Sequence, residues 1–212
     1  MKNVAIVLLI LGCGALAFIA HKSNNRLEES FVLLEANELE AYNLKNNSQG
    51  VKNSLLWGVM SEGDVIDDLV VSTQNGDEVS MKTLVGSSSK FVLRYSELHC
   101  SSCVEKQILL FNKVVDRIGE DNVLIISSYT NNRDLLLFKR MNQIKLPVYN
   151  IKDANLGISA EGADSPIFFV LSNNLRVSNV FLPLEYDPIL TEEYHERIMK
   201  KYWDDEFSDQ KR

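Results

Sequence analysis

With 212 residues, 45% of them hydrophobic and 24% charged, the chain has the composition of a single globular domain and excludes a disordered or repeat-built protein. A net charge of −7 with no cluster of Lys and Arg excludes nucleic acid as the partner, because phosphate binding needs such clusters. Three cysteines, one in the apolar N-terminus and two spaced C-x-x-C, exclude a disulfide-stapled framework and a four-cysteine zinc site, and leave one dithiol.

Residues 4–20 form an unbroken run of 17 apolar or small residues between Lys2 and His21-Lys22. As a helix rising about 1.5 Å per residue, the run spans about 25 Å, the lower limit for crossing a bilayer. Three fates are open to it. An uncleaved signal anchor fits its continuity; cleavage fits the small-x-small form of Ala15-Leu16-Ala17; and Ile10-Leu11-Gly12-Cys13 resembles a lipobox, which would put a lipid on Cys13. Each route exports the remainder of the chain. The expectation is a bacterial inner-membrane protein, single-pass with its domain facing the periplasm, or else a secreted or Cys13-lipidated form, in an oxidising compartment. The expected divisions are a signal anchor or signal peptide at 1–22, a juxtamembrane helix and linker at 23–62, the domain at 63–203 and an acidic tail at 204–212.

Residues 26–44 carry Leu27, Phe31, Leu34, Leu39 and Leu44 at loose helical spacing, without Pro or Gly, and predict a helix that serves as a stalk or as a partner-binding surface. Asn46-Asn47-Ser48-Gln49-Gly50 then breaks the pattern. Residues 65–71 read as a strand, Asn75-Gly76 as a two-residue hairpin turn, and Glu78-Val79-Ser80 as the returning strand. A short helical turn at 81–85 leads to Lys90-Phe91-Val92-Leu93-Arg94-Tyr95, a run of the kind found in a central strand. The segment 101–118 is amphipathic, with Val104, Ile108, Phe111 and Val114 on one face, so the dithiol opens a helix. Strand at 122–128, helix at 131–141, strands at 146–149, 166–171 and 176–182 and a closing helix at 190–202 complete an α/β domain with a mixed central sheet flanked by helices.

Thiol–disulfide exchange needs a thiolate that attacks a disulfide and a second thiol that resolves the mixed disulfide. Cys100 at a helix start is placed where unsatisfied N–H groups and the helix dipole favour the thiolate, and Cys103 lies on the same face of the first turn. A zinc or copper site is the competing reading, and His99 and His195 are the only histidines beyond His21 that such a site has to draw on.

The run from Asn75-Gly76 through Lys90-Phe91-Val92-Leu93-Arg94-Tyr95 to Cys100-Ser101-Ser102-Cys103 resembles the TlpA and ResA branch of the thioredoxin superfamily, membrane-anchored thiol–disulfide reductases or redoxins. Pro147-Val148-Tyr149 with Asp153, and Ser165-Pro166 ahead of residues 167–171, resemble later segments of that family. The resemblance implies a thioredoxin-like fold, a Ser165–Pro166 bond in the cis form and a Ser165-Pro166 substrate platform beside Cys100. It implies protein thiol or disulfide substrates and a membrane electron donor as partners, and a redox-active Cys100–Cys103 disulfide in place of any dissociable cofactor or metal. Where the family carries an aromatic residue before the first cysteine this chain has His99, and where thioredoxins often bury an Asp it has Arg94. A protonated His99 that favours the Cys100 thiolate and a solvated imidazole with no such role are both open; Glu97 and Glu105 are candidate proton acceptors for Cys103. A peroxidase-type redoxin would want Thr or Ser where Glu97 stands, and a copper chaperone would use His195 as its distal ligand, although a histidine in Tyr194-His195-Glu196 reads first as a surface residue.

Overall fold

The computed structural model describes residues 2–73, 75–152, 155–184 and 187–204, with side chains from residue 21 onward except Glu29. It divides into two compact units, Met1–Ser48 and Gln49–Arg212. The first helix, α1 (Lys2–Ser61), supplies the whole described backbone of the first unit and opens the second. Among the described residues no helix is long and apolar enough to cross a membrane. The apolar side chains at 4–20, on which the anchor expectation rests, lie outside the described residues, as do Asp153, the acidic tail beyond 204, and the thiol of Cys13.

The linker expected at 46–50 is helical. Gly and Asn each cost a helix up to about 1 kcal/mol against Ala, yet tertiary contact here overrides propensity. A Cβ on Gly50 would stand 2.8 Å from Leu184 Cδ2, and one on Gly58 would stand 2.8 Å from the Val180 carbonyl oxygen. These glycines therefore let the last turns of α1 approach their neighbours closely and do not end the helix. Ser54 Oγ accepts from Leu182 N–H at 3.1 Å and Ser61 Oγ from Ala160 N–H at 2.8 Å, so the same part of the helix also serves the backbone packed against it.

The second unit holds one mixed sheet of seven strands: β1 (Val70–Ser72), β2 (Glu78–Ser80), β3 (Lys90–Ser96), β4 (Val123–Ser128), β5 (Val148–Asn150), β6 (Ile167–Leu171) and β7 (Val177–Phe181), in the spatial order β2-β1-β5-β4-β3-β6-β7. Parallel neighbours need a crossover. Helix α3 (Ser101–Ile118) carries β3 to its parallel neighbour β4, and α4 (Asn132–Met141) carries β4 to parallel β5. The antiparallel pair β6–β7 joins β3 on its other side. Helix α2 (Met81–Val85) precedes β3, and α5 (Pro188–Tyr202) closes the fold, started by Pro188 and by Asp187, whose carboxylate accepts from Leu190 N–H at 3.0 Å. The α/β domain with a mixed central sheet flanked by helices that the sequence predicts is present, with the dithiol at the start of the helix that follows the central strand.

Two expectations need correction. Extended pairing does not run from 65 to 71: Val65 makes a lone bridge to Arg176, and the strand proper begins at Val70. Asp67 and Asp68 are the reason, since Leu69 N–H turns back onto the Asp67 carbonyl and the Asp68 carboxylate accepts from Lys82 N–H at 2.9 Å. The reversal at Asn75-Gly76 is real, with Gly76 at φ +90°, but wider than two residues. Thr73 N–H reaches the Asp77 carbonyl, and Thr73 Oγ1 accepts from the N–H groups of Asn75 and Asp77.

Because β3 is covered on both faces, it reads as continuous apolar sequence and not as alternation. Phe91, Leu93 and Tyr95 enter a cluster with Val104, Ile108, Phe111, Phe168, Ile198 and Met199 under α3 and α5; Val92 enters the opposite cluster with Met81, Ile126, Ile158 and Phe169. Arg94 alternates with Leu93 and Tyr95 and is 4% exposed.

Candidate active site

Strand β3 ends at Ser96, and a short turn delivers Cys100. The turn is held by local side-chain to backbone bonds of the kind Ser and Thr make outside regular structure. Leu98 N–H donates to Ser96 Oγ at 3.2 Å, Ser96 N–H to His99 Nδ1 at 3.3 Å, and His99 N–H to the Ser96 carbonyl at 3.2 Å. Glu97 N–H continues the pairing with β4 through the Ser128 carbonyl, while its carboxylate accepts from Thr130 N–H at 3.2 Å and Thr130 Oγ1 at 2.6 Å.

Cys100 is the N-cap of α3, with φ −52° and ψ 117° and a carbonyl that accepts from the N–H groups of Cys103 and Val104. Neither Cys100 nor Cys103 is in a disulfide; Cys100 is exposed and Cys103 half-buried. A hydrogen bond with the Cys103 thiol, then one with the Ser102 hydroxyl at 3.2 Å, lowers the Cys100 pKa. That is the condition for an attacking thiolate.

A cleft of about 390 Å³ is lined by Arg94, Glu97, His99, Thr130, Glu161, Asp164 and Ser165 among others, and neither cysteine is among its lining residues. It brings together the residue before Cys100 and the residue before Pro166. Burial first, and the Arg94 guanidinium second, push the His99 pKa down to about 4. Of the two readings open for His99 the lowered pKa favours a neutral imidazole near pH 7, and because its Nδ1 accepts from Ser96, its proton belongs on Nε2. Glu97 lines the cleft with its carboxylate engaged by Thr130, and Glu105 is half-buried on α3 outside it. Ser165 is half-buried at the cleft wall and Pro166 is buried behind it. The cis form is corrected, since the described residues contain no cis peptide bond. Asp164, in the left-handed region at φ 50° and ψ 40°, supplies the change of direction instead.

His195 is not on the surface. It is 3% exposed, edge-on to Phe168 at 4.6 Å and Phe91 at 5.4 Å between ring centroids, and burial lowers its pKa to about 4. Its ring also meets Phe111, three turns along α3 from Cys100, so an aromatic cluster and not the dithiol surrounds it. Among the described residues no group of three or more His, Cys, Asp or Glu could hold a metal ion.

Sequence reasoning missed Glu161 and Asp164. Arg94 was the one signal available, because a charge inside a buried strand needs a partner. Glu161 is that partner at 2.9 Å, from a 3₁₀ turn, Ser159–Ala163, that no periodicity announces.

The site is a C-x-x-C dithiol at the start of the helix that follows the central strand of a seven-stranded mixed sheet. No protein-family model matches the chain, and no curated protein matches it. Among solved structures it is similar to the peroxidoxin BcpB from Mycobacterium tuberculosis, at 16% identity and a TM-score of 0.46, covering 66% of this chain and 98% of that one. It is also similar to the thioredoxin domain of a thiol-disulfide oxidoreductase from Bacteroides vulgatus, at 14% identity and a TM-score of 0.46, covering 63% and 96%. A peroxiredoxin-like protein from Aquifex aeolicus is similar at 17% identity and a TM-score of 0.43, covering 63% and 86%.

Proposed function

We propose that this chain is a thiol–disulfide oxidoreductase that exchanges disulfides with protein substrates. The observation that carries the reading is an exposed Cys100 sulfur at a helix N-cap, its pKa lowered by hydrogen bonds with Cys103 and Ser102. In the reducing direction the Cys100 thiolate attacks one sulfur of a substrate disulfide, forms the mixed disulfide and releases the other sulfur as a thiolate, which takes a proton. Cys103, deprotonated, then attacks the Cys100 sulfur, so the substrate leaves as a dithiol and Cys100–Cys103 holds the oxidised pair. A dithiol donor returns the pair to the reduced form. Ser165, backed by the buried Pro166, forms the wall against which a substrate strand lies.

The apolar run at 4–20, flanked by Lys2 and Lys22, supports a membrane anchor with the domain outside the cytoplasmic membrane, where a membrane electron donor supplies the dithiol. Fractionation of cells expressing the full chain should place it with the inner membrane and leave the domain open to external protease.

The chemistry is tested by dithiothreitol-driven insulin reduction. The wild type accelerates it, Cys100→Ser falls to the uncatalysed rate, and Cys103→Ser accumulates a mixed disulfide visible on a non-reducing gel. Wild-type protein that gives no acceleration, with Cys100 alkylated at the pH of a free thiol of pKa about 8.5, would refute the proposal.

A further inference from the structure

Arg94 interrupts an otherwise apolar central strand, and both it and Glu161 have their side chains nine-tenths or more buried. An unpaired charge there is strongly unfavourable, so the pair is kept together by necessity. Arg94 Nε donates to Glu161 Oε1 at 2.9 Å, Nη2 to Ser128 Oγ at 2.7 Å, and Nη1 to the Tyr95 carbonyl. The other Glu161 oxygen accepts from Gly157 N–H at 3.1 Å. Strand β3 is thereby tied to the chain on either side of residue 159. Two more side chains fix this turn: Ser61 Oγ takes the Ala160 N–H, and the Asp64 carboxylate takes the Ser159 N–H at 2.9 Å. Of these fixings, Arg94 and Glu161 line the cleft. Three residues beyond Glu161 the chain turns at Asp164 and becomes Ser165-Pro166.

We propose that the Arg94–Glu161 ion pair is the positioning device of the substrate-binding wall. It holds the 157–165 segment against the strand that leads to Cys100, so that it sets affinity for a protein substrate and not the reactivity of the sulfur. This rests on the reading of Cys100 as the exchange nucleophile. Arg94 and Glu161 are positioning residues, acting through Asp164, Ser165 and Pro166.

The test compares insulin with 5,5′-dithiobis(2-nitrobenzoate), a small disulfide that needs no wall. In R94M/E161M the charges leave together, which spares the fold an orphaned buried charge. Its KM for insulin should rise about tenfold, while kcat and the small-disulfide rate stay within about twofold of wild type. R94K keeps the charge on a single-point donor and should give an intermediate KM. A folded variant with unchanged KM, or one whose rates on both disulfides fall together, overturns the proposal. If the double variant does not fold, R94K decides by the same two readouts. Wild-type protein inactive on both disulfides sinks the exchange reading itself, whereas an active wild type beside variants of unchanged KM sinks the positioning role alone.

Discussion

Two histidines of the second unit, His99 and His195, are each held to a pKa of about 4, in opposite kinds of surroundings. His99 stands in a polar cleft, its Nδ1 satisfied by Ser96 N–H and its charged form opposed by Arg94 as well as by burial. His195 stands among Phe91, Phe111 and Phe168, and its Nε2 is buried without a hydrogen-bond partner among the described residues. One end of the domain spends its polar groups on fixing a turn around an exposed sulfur. The other is dry and packed, and holds the helices to the sheet. A neutral imidazole therefore means different things in the two places: an ordered donor beside the dithiol, and an aromatic-shaped filler beneath α5.

The comparison breaks most readily at the dry end. Phe168 is fully buried and meets Phe91, Phe111, Tyr194 and His195, so Phe168→Ala should cost about 3–5 kcal/mol of stability by urea unfolding. Alkylation of Cys100 in the folded protein should keep its rate; a large change would mean that the two ends are one unit.

The next effect is a pH dependence. Unfolded chain takes a proton on His195 near pH 6.5 and the folded chain only near 4, so between these values the unfolded state binds more protons and stability falls as pH falls. At about 1.4 kcal/mol per unit the window is worth about 2–3 kcal/mol. His195→Leu should remove about half of the fall in the urea midpoint between pH 6.5 and 4, the rest belonging to His99, and an unchanged slope would put the acid sensitivity elsewhere.

Gly58→Ala should cost about 1–3 kcal/mol, because the new methyl meets the Val180 carbonyl, a backbone atom that cannot swing aside. A neutral result in thermal melts would show that the last turns of α1 can shift.

The smallest effect belongs to the cleft. His99→Gln keeps a hydrogen-bonding side chain and removes no charge near pH 7, so the pH midpoint of Cys100 alkylation should stay within a few tenths of a unit. A clear rise would show a charged His99 after all.

Much of this was legible in residue order because it is local. The 101–118 helix and the 81–85 turn fall where apolar spacing and turn residues put them, and β3 lies where the chain offers a nearly continuous apolar run. The C-x-x-C at a helix start is likewise a local pattern, and with the resemblance carried by the segments around it, it pointed to exchange chemistry. What failed was long-range. Asn46-Asn47-Ser48-Gln49-Gly50 reads as a break until Leu184 is seen to need the space at Gly50. Tyr194-His195-Glu196 reads as surface until Phe91 and Phe168 are seen to close over the ring.

By itself the sequence determined the elements, their order and the dithiol, because hydrogen-bonded turns and apolar periodicity act over a few residues. Only the tertiary structure decided that Arg94 has a partner, 67 residues away, and that Glu161 and Asp164 share a cleft with His99. The physical reason is that a charge buried in a strand demands compensation from whatever the fold brings near, and pattern along the chain does not say what that will be.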